Sequence, residues 1–311
     1  MSEKDKPLIS ARGLSKKYGE FMAVKDLNIS VNKGEVFGLL GPNGAGKTTF
    51  ILMLLGLTEP TSGSCRVFDY NPVKNPIEVK RVCGYLPERF GFYENMSAEE
   101  NLRYIARLNE LTGEKAASLI DEALSDVGLI KDKNQKVSKF SRGMKQRLGI
   151  ANAFFKKPQL VILDEPTQGI DPLGIEEILK LFKRLNREDD TTILLSSHSM
   201  QQVQEICTGV GIISKGQLRK KGSIKVLESE GLSFTIEVEA GGLNEKIINS
   251  LKEIQGVKNV GRKGSKELVI NSTADVRSIV SEKIVKNGAS LTRMSLREQF
   301  LLEVYRKYSE E

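Results

Sequence analysis

Tryptophan is absent from this sequence, histidine occurs once and cysteine three times. Cys65, Cys83 and Cys207 are too few and too scattered for a disulfide framework, and no two stand close enough to suggest a metal knuckle. A reducing, cytosolic compartment fits that usage. Long hydrophobic runs are also missing. The longest, residues 50–57, is broken by Gly56 and falls far short of the roughly 20 apolar residues that cross a bilayer. Residues 1–8 mix Lys with Glu and Asp and have no apolar core of a secretory signal. If the protein acts on a membrane, another chain crosses it. Neither sign of charge is lacking: 47 Lys and Arg face 40 Asp and Glu, for a formal +7. The signs are interspersed, as on a solvated surface, so charge alone selects no nucleic-acid or membrane partner.

With 39% hydrophobic and 28% charged residues, the 311-residue chain has material for an ordinary core and for two domains. Residues 8–14 and 24–31 alternate apolar and polar, with turns at Gly19-Glu20 and Asn32-Lys33-Gly34. Val36–Leu40 reads as a buried strand entering a glycine-rich loop, and residues 47 to about 57 as an apolar helix. Helical spacing predicts helices over 97–111 and 114–127, with breaks at Gly113 and Gly128. Residues 160–163 and 192–195 read as buried strands with a helix over 175–185 between them. Strands alternating with helices predict an α/β fold with a mostly parallel sheet. Beyond about residue 230 the pattern becomes βαββαβ, with strands at 234–238, 257–260, 267–270 and 291–294 and helices at 244–254, 275–285 and, after the last strand, 295–308. That order suggests a small α+β ferredoxin-like module. The expected domains are residues 1–228 and 229–311.

Two segments carry chemistry. In Gly41-Pro42-Asn43-Gly44-Ala45-Gly46-Lys47-Thr48, followed by Thr49, glycines let successive N–H groups turn toward phosphate oxygens. The helix that follows adds its positive end, Lys47 a mobile cation for terminal phosphates, and the Thr48 hydroxyl a ligand for Mg²⁺. In Leu160-Val161-Ile162-Leu163-Asp164-Glu165, an apolar strand delivers two carboxylates to the carboxyl edge of the sheet, where open α/β sheets bind ligands. Asp164 suits the Mg²⁺ shell and Glu165 suits a general base that polarises water.

With these two motifs the chain resembles the ATP-binding cassette (ABC) ATPases, P-loop NTPases with a β subdomain, a mostly parallel core sheet and a helical subdomain. The segment from Phe140 to Arg147 is similar to the family signature, which in the family caps the nucleotide held by an opposite subunit. Ser141 and Gly143 match that signature, while Phe140 replaces a leucine, Arg142 the first of two glycines and Met144 a glutamine. The resemblance implies that His198, in Ser196-Ser197-His198, contacts the γ-phosphate and steadies the water with Glu165. It also implies that adenine stacks on Tyr18 and that Asp171 belongs to a dimer-crossing loop, with Gln168 and Ile170 departing from the usual residues. Glu88, in Tyr85-Leu86-Pro87-Glu88, stands where the family usually has a glutamine that senses Mg²⁺ and the membrane partner. These implications give ATP and Mg²⁺ as ligands and two partners, a second nucleotide-binding subunit and an integral-membrane permease, with the chain on the cytoplasmic face of the membrane.

Within the family the closest resemblance is to the ATPases of ABC-2-type exporters, including drug-resistance proteins. It is carried by Tyr85-Leu86-Pro87-Glu88, by Met144-Lys145-Gln146-Arg147 and by the tail Ser295-Leu296-Arg297-Glu298-Gln299-Phe300-Leu301. Two other classes compete. A cassette acting on nucleic acid or ribosomes is disfavoured because the chain has neither a second cassette nor an inserted coiled coil, and no nucleic-acid partner is expected. A regulatory subunit that binds ATP without turnover is disfavoured by the joint presence of Lys47, Asp164, Glu165 and His198.

Overall fold

The computed structural model describes residues 6–224, 226–227 and 234–297. The chain divides into two compact units, Met1–Ile224 and Lys225–Glu311, and each has a core of its own.

In the first unit, β1 (Ile9–Tyr18) and β2 (Phe21–Val31) form a hairpin closed at Gly19-Glu20, with Tyr18 paired to Phe21. Gly19 takes φ +56, a left-handed value that suits a two-residue hairpin loop. The chain runs on through β3 (Val36–Leu40), helix α1 (Lys47–Leu54) and β4 (Ser62–Val67). Strand β4 returns to pair antiparallel with β1, completing a three-stranded sheet in the order β2-β1-β4. Helix α1 stops before the expected residue 57. Gly56 turns left-handed at φ +62, and a side chain there would strike the Pro72 carbonyl.

Helix α2 (Pro76–Val82) leads into the second sheet. Its strands are β3, β5 (Cys83–Leu86), β6 (Leu160–Asp164), β7 (Thr192–Ser197), β8 (Gly209–Ser214) and β9 (Gln217–Ser223), in the order β5-β6-β7-β3-β8-β9. All pairs are parallel except β8–β9. Every residue of β3, β6, β7 and β8 is buried, because helices and the smaller sheet leave neither face in water. Each fully buried Leu, Ile or Phe, such as Leu39 or Phe37, contributes about 1.5–3 kcal/mol. The register sets Asp164 beside Ser196, and Leu40 beside Ser197. Three strands therefore end level with one another, and the loops that leave them meet.

Three α-helices lie between β5 and β6: α3 (Ala98–Leu108), α4 (Gly113–Asp126) and α5 (Arg142–Phe154). Ser97 opens α3 with a capping box: its hydroxyl accepts from Glu100 N at 3.1 Å, and its own N–H donates to the Glu100 carboxylate at 2.7 Å. Helices α6 (Pro172–Asp189) and α7 (Met200–Ile206) follow β6 and β7.

The second unit runs β10 (Phe234–Gly241), α8 (Glu245–Lys252), β11 (Val257–Arg262), β12 (Glu267–Ser272), α9 (Arg277–Lys286) and β13 (Ser290–Arg297). Its sheet is antiparallel in the order β11-β12-β10-β13. One face of β10, with Ile236, Val238 and Ala240, packs on Ile247, Leu251, Val280 and Ile284 of the helices. The helix expected from residue 295 does not begin there. Residues 295–297 stay in β13, paired across to Glu237, Ile236 and Thr235, because a strand partner is available to them. The remainder of that expected helix lies outside the described residues.

Candidate functional site

The loop from Gly41 to Thr48 leaves β3 and enters α1 between two backbone walls. A Cβ on Gly41 would strike the Ile213 carbonyl. Gly46 has φ +101, and a Cβ there would stand 2.5 Å from the Ala23 carbonyl. Gly44, at φ +79, has open space around it and is required for conformation alone. Gly46 caps α1 without a side chain, and no acidic residue occupies the first turn. The first N–H groups of the helix thus have no local acceptor and suit an anion.

Lys47 is 7% exposed. Its ammonium donates to the Gly41 carbonyl at 2.7 Å and to the Pro42 carbonyl at 3.2 Å, and stands 3.7 Å from Glu165. Burial holds its pKa below the usual lysine value, against the opposing pull of Glu165 and Asp164. The cation is parked on weak acceptors, which a phosphate oxygen would outbid electrostatically.

Strand β6 ends in Asp164, which is 1% exposed. One of its oxygens accepts from the Thr48 hydroxyl at 2.8 Å, the other from the Ser196 hydroxyl. Glu165 follows at φ +51, a left-handed conformation that costs a residue with a Cβ about 1–2 kcal/mol. Its N–H donates to the Ser196 hydroxyl at 3.1 Å and to the Ser196 carbonyl at 3.3 Å, which offsets that cost. The carboxylate is thereby turned into the site. Its Oε2 lies 2.9 Å from His198 Nδ1, while the buried Oε1, the oxygen nearer Lys47, has no hydrogen-bond partner among the described residues. Burial raises the Glu165 pKa, and His198 and then Lys47 oppose the shift. The His198 side chain is 62% exposed, so its ring bridges the buried carboxylate and solvent.

Thr48 and Asp164 are hard oxygen donors in contact, the donor type that Mg²⁺ takes. Among the described residues no three His, Cys, Asp or Glu side chains converge as a resident metal site. Two protein oxygens with the remaining ligands from phosphate and water are how Mg²⁺ is commonly held. The residues therefore fit the ion. Glu88, exposed, forms part of the same cleft, which has a volume of about 310 Å³ and is also walled by Asn43, Ala45, Thr49 and Phe21.

The aromatic side of the cleft differs from expectation in one residue. Tyr18 is 47% exposed and carries the Lys16 ammonium 4.9 Å from its ring centre, but Phe21, 64% exposed, is the aromatic in the cleft wall. Its signal was available: it is the first residue after the Gly19-Glu20 turn and thus the cross-strand neighbour of Tyr18. Ser196, which holds both Asp164 and the Glu165 backbone, was also missed. Only the register of β6 on β7 brings it there.

Ser141, Gly143 and Asp171 do not wall the cleft of their own chain. Ser141 caps α5, accepting from Met144 N at 3.2 Å, and both Ser141 and Arg142 are exposed. Asp171 caps α6, accepting from Gly174 N at 2.8 Å.

The ABC transporter family profile matches residues 24–168. The bacitracin transport ATP-binding protein BcrA of Bacillus licheniformis is 42% identical over 241 residues, covering 78% of each chain. The linearmycin resistance ATP-binding protein LnrL of Bacillus subtilis (strain 168) is 37% identical over 254 residues, covering 81% of each. A solved structure of an ATP-binding subunit of an ABC transporter superposes with a TM-score of 0.66 at 31% identity, over 72% of this chain and 92% of that one. With the glycine cradle, the paired carboxylates and the α5 segment in place, the chain belongs to the ABC transporter family as an ATP-binding, ATP-hydrolysing subunit.

Proposed function

We propose that this subunit hydrolyses ATP as a head-to-tail pair with a second copy and drives export through a separate membrane permease, from the cytoplasmic face. The reading rests foremost on Glu165, a buried carboxylate with one oxygen held by His198 and the other, 3.7 Å from the Lys47 ammonium, with no hydrogen bond among the described residues. A water molecule attacking a γ-phosphate requires such an acceptor. The cradle at Gly41–Thr48 and Lys47 would hold the phosphates, Thr48, Asp164 and Glu88 would hold Mg²⁺, and Tyr18 with Phe21 would flank the base. Mg²⁺, when bound, neutralises charge on the phosphate oxygens. Glu165 takes the proton from water, His198 fixes the carboxylate and faces outward to the phosphate, and the backbone N–H groups of α1 stabilise the anion in place. Chemistry of this type depends on positioning and charge stabilisation, with no covalent enzyme intermediate.

Ser141 and Gly143 support the pairing. They match a signature that covers nucleotide, yet Ser141 is exposed, Gly143 is half-buried and neither walls its own cleft, so a second chain is the natural recipient. Export is supported by the relatives' association with bacitracin transport and linearmycin resistance. The permease partner follows from the transport role, since no helix among the described residues is long and apolar enough to cross a membrane. The test is Glu165→Gln: turnover falls about 10²- to 10⁴-fold while ATP binding is retained, and the variant elutes as a dimer with ATP. Unchanged hydrolysis in this variant removes Glu165 from its role.

A further inference from the structure

The loop from Glu165 to Asp171 has the general base at one end and the cap of α6 at the other. Two turn hydrogen bonds curl it, Gln168 N to Glu165 O at 3.2 Å and Ile170 N to Thr167 O at 3.3 Å. Gly169 lies within this curl at φ +81. Helix α5 lies against the loop at two points. The buried Gln146 amide donates to the Pro166 carbonyl at 2.8 Å. The Arg142 side chain lies over Gly169, where an added Cβ would stand 2.8 Å from Arg142 Cδ and 3.0 Å from Cζ, and closer still to Nε. A side chain on Gly143 would in turn lie 3.8 Å from the Gly169 carbonyl.

Arg142 is an odd residue for this position. It opens α5, where the helix dipole disfavours a cation, and the first turn has no acidic residue to offset it. It makes no ion pair or hydrogen bond with any described residue. What it has is the space that Gly169 leaves by lacking a Cβ. The stem and guanidinium fill that space, so the first turn of α5 and the loop behind Glu165 cannot shift independently without opening a gap.

We propose that Arg142 is a positioning residue that couples the two halves of the machinery within one chain. Lying across Gly169, it transmits displacement of Ser141 and Gly143 to the loop that carries Glu165. Its functional consequence rests on the paired reading above: when Ser141 and Gly143 engage the partner's nucleotide, the general base of their own chain is brought into register, and hydrolysis at the two sites becomes cooperative.

The test uses the full chain and compares Arg142→Ala, Arg142→Lys, Gly169→Ala and the double variant Arg142→Ala/Gly169→Ala. Turnover, KM for ATP and the Hill coefficient of hydrolysis are read, with thermal melting as a check that each variant is folded. Arg142→Ala lowers turnover about fivefold, leaves KM within about twofold and removes the cooperativity, while Arg142→Lys, which keeps the aliphatic stem over Gly169, retains most of both. Gly169→Ala pushes the guanidinium aside and also strains the loop at φ +81, so it loses at least as much as Arg142→Ala. The double variant is no worse than the worse single, since both remove the same contact. Additive losses, or a cooperative Arg142→Ala enzyme beside a cooperative parent, overturn the proposal. A parent enzyme that is itself monomeric and non-cooperative overturns the paired reading instead and the cooperative consequence with it. The additivity of the two turnover losses then still decides whether Arg142 acts through Gly169.

Discussion

At the carboxyl ends of β3 and β6, Lys47, Asp164 and Glu165 are each less than a tenth exposed, whereas at the start of α5 Ser141 and Arg142 stand in solvent. The first region is expensive to build. It buries three ionisable groups, sets Glu165 in a left-handed conformation and admits only glycine at Gly41 and Gly46. The second is cheap: one helix, one serine cap, no buried charge. Preorganisation is concentrated where charge must be held against water, and the start of α5 is left open. On the proposed paired reading, half of the site is complete within the chain and half is addressed outward.

Mixing two inactive variants is the strongest way to break that division. Lys47→Ala disables the cleft and Ser141→Arg disables the outward face, so each alone is expected to be inactive. In a head-to-tail pair one site would combine the intact cleft of the Ser141→Arg chain with the intact outward face of the Lys47→Ala chain. Phosphate release by the mixture should therefore rise well above either parent, and a mixture as dead as its components would mean that each chain uses its own Ser141.

Gly46→Ala tests the cost of the inner half. The added methyl meets the Ala23 carbonyl at a backbone angle hostile to any Cβ, so stability should fall by about 1–3 kcal/mol, seen as a lower melting temperature, with loss of nucleotide binding. The two serine caps sharpen the contrast. Ser97→Ala and Ser141→Ala should each lose about 1 kcal/mol of stability, because both hydroxyls accept a backbone N–H. Only Ser141→Ala should also slow turnover, and equal turnover in the two would deny Ser141 any role beyond capping.

The smallest effect concerns the thiols beneath the inner half. Burial pushes Cys65 up to about 11 and Cys83 up to about 12, and raises Cys207 as well. A raised pKa leaves the unreactive thiol form dominant at pH 8, so the native protein should not react with an aromatic disulfide reagent. All three should react once guanidinium unfolds the chain. Rapid labelling of the native protein would show that this core opens far more readily than its packing indicates.

Much of the cleft was legible because its residues are contiguous. Gly41–Thr48 announces itself by glycine spacing, and Asp164 and Glu165 by the apolar strand before them. A strand without a hydrophobic signature leaves little trace in the sequence. β9, with the sequence QLRKKGS, is a polar edge strand whose side chains are mostly half-exposed, and it exists because β8 offers it a backbone ladder. β13 ran on past its expected end for the same reason, since residues 295–297 pair with β10.

The chain's own order of residues determined that a phosphate cradle would form and that two carboxylates would close a buried strand, since glycine freedom, helix polarity and apolar runs act over a few neighbours. Tertiary structure alone decided that Ser196 would hold Asp164, that Phe21 would wall the cleft and that Arg142 would lie on Gly169. Those pairs are joined by sheet register and helix packing between distant segments, and no local preference specifies which distant segment arrives.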